Sequence, residues 1–210
     1  MDAISRHRLC CLGIDTTALM RLSMHQRMCA VYEAFIERVP YENLSNHRAV
    51  LEHPNDPDSW PRATDRLLRE NQTYGLGGTS FSLAYALRDM LHGAGGNAHT
   101  TLGYNLVTER AHAAVIVYIE GEPWLFDPAL LLCGPIPVRP GGYLDDPLGR
   151  FVLLPRCGPT LTVALTLRDE LKPTPPPAMD DAWAHVPLSG CLLYTSDAAD
   201  EGVEGGGGGG

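Results

Sequence analysis

The chain has 210 residues, a formal net charge of −9, and 44% apolar against 20% charged residues. That is length and apolar content enough for one large domain or two small ones around a hydrophobic core. The basic residues are scattered, with Lys172 the only lysine, so the electrostatic footprint of a nucleic-acid binder is lacking.

Residues 1 to 15 mix Asp2, Arg6, His7, Arg8 and Asp15 among apolar positions, leaving no stretch for a signal peptide or membrane span. The expected location is cytoplasmic, with no membrane association. Thr16 and Thr17 offer a cap for a long helix over Ala18 to Arg38, with Leu19, Leu22, Met28, Val31, Tyr32 and Phe35 approximating one face. Pro40 stops it, and Val39 to Ser45, VPYENLS, reads as a helix exit and turn. Residues 52 to 61 hold three prolines and three acids and form an exposed loop. A short helix follows from Pro61 to Glu70, with Asp58 or Ser59 near its cap. The glycine-rich turn Tyr74 to Ser80 feeds a third helix, roughly Thr79 to Leu91, with Ala84, Leu87 and Leu91 below Ser80 at helical steps. Gly93, Gly95 and Gly96 end it.

From Ala98 the pattern changes to strands. His112 to Ile119 is rich in β-branched residues, Trp124 to Phe126 is a short apolar run, and Glu120 to Pro123 makes the hairpin turn between them. Phe151 to Leu154 and Thr160 to Leu167 are further strands. Helices first and antiparallel strands second predict an α+β fold. Lys172 to Pro177, KPTPPP, reads as an extended linker. Cys191 to Glu201, CLLYTSDAADE, resembles a translated sequencing-adapter string, and Gly205 to Gly210 is an unbroken glycine run. Residues from about 190 onward are therefore set aside from the fold. Of the six cysteines, Cys10, Cys11, Cys29, Cys133, Cys157 and Cys191, none forms a CxxC pair or a zinc-finger spacing. They read as reduced thiols, mostly small buried hydrophobes.

Three positions carry candidate chemistry. Ser80 lies at a helix start, where free N–H groups and the helix dipole favour developing negative charge. His112 opens one strand of the hairpin and Asp127 closes the other, which returns both side chains to the same end. A nucleophile on a helix start with a His and a carboxylate on adjacent strands is the arrangement of papain-like enzymes. Two structural readings compete: His112 capping an edge strand, and Asp127-Pro128 opening a turn.

VPYENLS resembles the VPFENL-type signature of arylamine N-acetyltransferases. Gly77 to Leu83, GGTSFSL, resembles their RGG-x-C-F-E-L block, and His112 followed by an apolar strand and WLFDP resembles their H…D-V-G-F block. The three stand in the family's order, and the likeness covers roughly residues 15 to 165. It implies a helical bundle (1–96) packed on an antiparallel β-barrel (97–171) as a papain-like catalytic core. A linker or start of an interdomain segment (172–190) and a non-native or disordered tail (191–210) follow, and the family's C-terminal α/β lid is largely missing. It further implies ping-pong transfer of acetyl from acetyl-CoA to an arylamine, arylhydrazine or arylhydroxylamine, a xenobiotic-metabolising activity. Ser80 then falls at the acyl-accepting position, His112 at the base and Asp127 at the orienting carboxylate, with no metal implied.

Four positions depart from the family pattern: Ser80 stands for the cysteine, Leu76 for the arginine of RGG, Ser82 for the glutamate, and Pro128-Ala129 for Val-Gly. The serine matters most, because a hydroxyl is far less acidic than a thiol and does not ionise beside an imidazole. Impaired transfer is expected. Cys133, in an apolar LLLC run, is expected to pack in the core rather than to substitute as nucleophile. A serine-type acyl-CoA thioesterase and a silent binder of CoA or an aromatic ligand are the alternative functions. The absence of a complete GxSxG elbow counts against the first.

Overall fold

The structure, a computed structural model, describes residues 1–55, 62–105, 110–147, 149–154, 160–167 and 190–195. The chain begins with α1 (Ala3–Cys11), unanticipated from the sequence, capped by Asp2, whose carboxylate accepts the Ser5 N–H at 2.7 Å. The single long helix expected over residues 18–38 is two helices, α2 (Thr16–Leu19) and α3 (Met24–Arg38). The break has a local cause. Ser23 and Gln26 form a reciprocal capping box, a start signal inside the apolar run. The cap of α2 is likewise Asp15, not a threonine.

α3 stops where expected, with Val39 extended ahead of Pro40. The following turn is shorter than the sequence suggested, because Leu44 already opens α4 (Leu44–Glu52). Asn43 makes no side-chain cap bond there. Instead the Glu42 carboxylate accepts the Ser45 N–H at 3.0 Å and the Ser45 hydroxyl at 2.5 Å. A carboxylate at this end also complements the helix dipole. The next helix, α5 (Thr64–Tyr74), starts three residues later than Pro61 and ends on Gly75, whose φ of 70° suits glycine. The cap candidates Asp58 and Ser59, and Pro61 itself, lie outside the described residues.

α6 (Ser80–Gly93) is the central helix. Ala84, Leu87 and Leu91 are fully buried as the stripe predicted, but so are Leu83 and Ala86. The helix is apolar on more than one face because α1, α3 and α5 pack on one side of it and the sheet on the other. Polar ties reinforce the helical layer. Arg8 bonds Asp65 of α5 at 2.7 Å and Asp89 of α6 at 3.3 Å, and the Thr64 hydroxyl donates to Asp89 at 2.7 Å.

The sheet contains β1 (Asn97–Asn105), β2 (Arg110–Ile119), β3 (Glu122–Phe126), β4 (Ile136–Pro137), β5 (Tyr143–Asp146), β6 (Gly149–Leu154), β7 (Thr160–Leu167) and β8 (Gly190–Thr195). All its pairings are antiparallel, in the order β4-β3-β2-β1-β8-β7-β6-β5. The hairpin between β2 and β3 has a two-residue turn, Glu120-Gly121, with φ of 55° and 87°. Positive φ at both positions matches the right-handed strand twist.

Two expectations are corrected. The fold is α+β as predicted, but no closed barrel forms among the described residues: β4 and β5 are the two ends of the strand order. Residues 190–195, set aside on the sequence, form β8 in the middle of the sheet, hydrogen-bonded to β1 on one side and β7 on the other. Each of the two meanders β1–β4 and β5–β7 presents an open edge of unpaired N–H and C=O groups, and a short apolar run between them satisfies both. The KPTPPP linker and residues 196–210 lie outside the described residues. Among the described residues no helix is long and apolar enough to cross a membrane.

Leu87 of α6 belongs to the core cluster and has no exposure, so Leu87→Ala is expected to lower unfolding free energy by about 2–5 kcal/mol. Denaturant titration measures this, and a loss below about 0.5 kcal/mol contradicts the packing described for α6.

Candidate active site

The sequence blocks VPYENLS and GGTS, more than thirty residues apart, meet directly. Tyr41 and Gly78 form a parallel bridge, in which the Gly78 N–H donates to Pro40 O at 3.1 Å and the Glu42 N–H donates to Gly78 O at 3.0 Å. A Cβ at position 77 would lie 1.6 Å from the Pro40 carbonyl oxygen, so only glycine allows this approach. Gly78 is crowded differently. A Cβ there would meet Arg62 Nη2 at 2.7 Å and Ser82 Cβ at 2.9 Å.

The turn is held by side chains as well. The Gly77 N–H donates to Glu42 Oε1 at 3.2 Å, and Asn71 Nδ2 donates to Leu76 O at 2.9 Å and to Arg38 O at 2.7 Å. Arg62, 2% exposed at its side chain, pairs with Glu70 at 2.7 Å and lies 3.9 Å from Glu42, while its Nη2 donates to Gly77 O. Burial pushes the Glu42 carboxyl up, but the Ser45 hydroxyl and amide and the Arg62 charge pull it further down, so it ends below its ordinary value. The same balance, burial against Arg62 and Arg66, leaves Glu70 low.

This scaffold delivers Ser80 as the first residue of α6, itself buried. Thr79 makes no side-chain cap bond, so the first-turn N–H groups of α6 are not occupied by a cap. α6 packs on β1 and β2, the strand that carries His112.

The hairpin brings His112 and Asp127 together. One step past the Val115↔Phe126 pair, Asp127 falls opposite Ala114, and His112 lies two residues along on the same face. His112 Nε2 donates to Asp127 Oδ2 at 2.7 Å in a buried setting, with Asp127 wholly inaccessible. With a carboxylate on Nε2, the second ring nitrogen, Nδ1, takes the acceptor role in the neutral imidazole.

The rest of Asp127 is also fixed. Oδ1 accepts the N–H groups of Ala129 and Leu130, each at 3.0 Å, and the backbone carbonyl accepts the Tyr32 hydroxyl at 2.8 Å. Tyr32 stacks edge-on against Phe126 with centroids 5.4 Å apart. Burial, then the Asp127 charge, pushes the Tyr32 hydroxyl well above its ordinary pKa, which keeps it a donor. Asp127 opens a turn with one oxygen and holds His112 with the other, while β2 lies between β1 and β3 and is no edge strand.

Tyr32, Arg62 and Glu70 were not singled out from the sequence. Tyr32 looked like one more apolar position of α3, and nothing in the spacing of Arg62 ties it to residue 77. The cysteines are corrected too. Cys10 and Cys133 are exposed, and Cys11 and Cys29 are half-buried. Of α1 only Leu9 is fully buried, while Cys11 packs partly buried against the core and Cys10 faces outward. In the LLLC run Leu132 is the residue that enters the core, and Cys133 bonds through its N–H to Asp146 at 2.9 Å. Burial, with Asp146 beside it, raises the Cys133 thiol, and burial raises Cys29 to about 11, so neither is an activated thiolate. Cys157 lies outside the described residues.

Glu42→Gln tests the electrostatics of the turn. The folded carboxyl titrates below the ordinary 4.5, so its contribution is complete above that value and is lost as pH falls through the folded pKa. Urea titrations are expected to show wild type more stable than Glu42→Gln at about pH 7, with the gap narrowing as pH falls below the ordinary carboxyl value of 4.5. A gap that widens in acid contradicts the assignment.

No protein-family model and no curated protein matches the chain. Solved structures do. The arylamine N-acetyltransferase of Salmonella typhimurium superposes with a TM-score of 0.57 at 18% identity, over 93% of this chain and 64% of that one. A variant of the Mycobacterium smegmatis enzyme gives 0.64 at 18%, over 94% and 66%. A Bacillus cereus arylamine N-acetyltransferase, described as having a Cys-His-Glu catalytic triad, gives 0.58 at 18%, over 79% and 65%. The chain thus spans just under two thirds of the length of the first two. The helical layer, the antiparallel sheet and their order together are the fold of the arylamine N-acetyltransferases.

Proposed function

We propose that the chain carries an acyl-transfer site of the arylamine N-acetyltransferase kind, with Ser80 as acyl acceptor, His112 as base and Asp127 as the carboxylate that orients it. The observation that carries this reading is the buried 2.7 Å His112–Asp127 bond on a hairpin packed under the helix that Ser80 opens. The likeness of fold and the Cys-His-acid triad described for one neighbour support it. Residues 1–96 then supply the nucleophile and residues 97–171 the base and its carboxylate. The donor is acetyl-CoA and the acceptor an arylamine or arylhydrazine.

In this reading His112 Nδ1 takes the proton of the Ser80 hydroxyl as Oγ attacks the thioester carbonyl carbon. The first-turn N–H groups of α6 stabilise the oxyanion. Collapse breaks the C–S bond, and the imidazolium returns its proton to the CoA sulfur, leaving acetyl-Ser80. The amine then attacks the ester carbonyl, His112 accepts the amine's proton, and that proton passes to Oγ as the C–O bond breaks. Asp127 stays unprotonated throughout and steadies the imidazolium that forms twice.

Serine slows both halves. The hydroxyl must lose its proton during attack, whereas a thiol beside an imidazole already reacts as thiolate. An acyl-serine ester is also a poorer donor to weak arylamines than a thioester.

Ser80→Cys is therefore expected to raise arylamine acetylation by at least about tenfold, some 1.4 kcal/mol of barrier, and to confer iodoacetamide sensitivity. Adding Asp127→Asn should abolish the gain, since the corresponding change in a Ser-His-Asp triad lowers kcat by about 10⁴. Acetylated product is followed by chromatography and the acyl-enzyme by intact mass. A folded Ser80→Cys protein with no adduct and no product contradicts the assignment.

A further inference from the structure

We propose that Arg62 is a positioning residue for Ser80. Its guanidinium locks the turn from which the nucleophile-bearing helix starts, a turn in which Leu76 itself supplies no charge. The inference rests on the reading of Ser80 as the acyl acceptor.

From Leu76 O to Gly78 O, every backbone polar group of the turn has a named partner. Leu76 O accepts from Asn71, the Gly77 N–H donates to Glu42, and Gly77 O accepts from Arg62. The Gly78 N–H and C=O pair with Pro40 and Glu42 backbone groups. Of these partners Arg62 is the buried cation, and it joins three elements. Its Nη1 meets Glu70 of α5 at 2.7 Å, its Nη2 reaches Gly77 O, and the same Nη2 lies 3.9 Å from the Glu42 carboxylate that caps α4. Glu42 and Arg62 thus grip Gly77 from its N–H and its C=O sides, three residues before Ser80.

The chemistry calls for arginine. Three oxygens in different directions match a planar fork of five donors, and a lysine ammonium at the end of a flexible stem reaches them less well. Burial makes the site costly to break. Removing the cation takes a charged partner from both Glu42 and Glu70, of which Glu70 keeps Arg66, and leaves Gly77 O without its partner. Arg62 touches nothing at the hairpin in the interactions described, so it acts on the chemistry only through the turn. A shift of about 1 Å in a reacting group can cost about a hundredfold in rate.

The test uses the full chain in the Ser80→Cys background. Arg62→Met is expected to slow acylation of the residue at position 80 by acetyl-CoA about tenfold to a hundredfold, with Arg62→Lys between the two. Leu76→Arg added to Arg62→Met should restore much of the rate, since a guanidinium then returns to the turn from the neighbouring residue. Amide hydrogen exchange read by mass spectrometry should show faster exchange in peptides spanning 76–81, with the β2–β3 peptides unchanged.

A folded Arg62→Met protein that acylates at the parent rate and keeps the parent exchange at 76–81 overturns the proposal. If Arg62→Met does not fold, parent behaviour of Arg62→Lys in both readouts overturns it equally. If the Ser80→Cys parent itself forms no adduct, the acyl-acceptor reading fails, and exchange at 76–81 alone then decides whether Arg62 holds the turn.

Discussion

The short backbone bridge between Tyr41 and Gly78 is the constraint on which the site depends. It binds the exit of α3 to the entrance of α6 through carbonyl and amide groups that no other pairing satisfies. The approach is so close that Gly77 has no room for a methyl group. A residue at the start of a helix inherits its direction from the turn before it, and here that turn is pinned on every side. The buried cation Arg62 and the carboxylate Glu42 belong to the same arrangement, since each completes a hydrogen bond that the bridge leaves open.

The second half of the site is built by a different principle. His112 and Asp127 meet because a two-residue turn sets the register of β2 on β3, and a register slip of one residue would send one of them to the opposite face. Their contact is then stiffened from outside the hairpin. Tyr32 of α3 bonds the Asp127 carbonyl and packs on Phe126, so the helical layer holds the carboxylate's backbone. One helix layer therefore touches both halves, α6 carrying Ser80 and α3 buttressing Asp127. The burial of the His–Asp pair strengthens its hydrogen bond and makes its loss costly.

The sheet shows how neighbours decide what a segment becomes. β8 has an ordinary apolar sequence, yet it lies between two meanders and converts two open edges into one continuous order. The four described cysteines show the reverse. Composition suggested burial, yet Cys10 and Cys133 are exposed and Cys11 and Cys29 only half-buried, because neighbouring residues of α1, α3 and the 130–133 run fill the core instead.

Local chemistry written into neighbouring residues was enough to read much of this protein from its amino acids. The α+β order, the span of α6 and the two-strand hairpin that brings His112 to Asp127 all follow from helical period, strand alternation and turn residues. The likeness to arylamine N-acetyltransferases in the VPYENLS and GGTSFSL blocks also stood in the sequence. The capping box at Ser23 was present too, but a continuous apolar period masked it. What no local pattern contains is which distant groups become partners. Arg62 with Gly77, Tyr32 with Asp127 and β8 with β1 and β7 are joined across the chain, and no spacing rule links their positions. Such pairings are chosen by burial, because a desolvated donor or open strand edge must find its complement wherever folding brings one within reach.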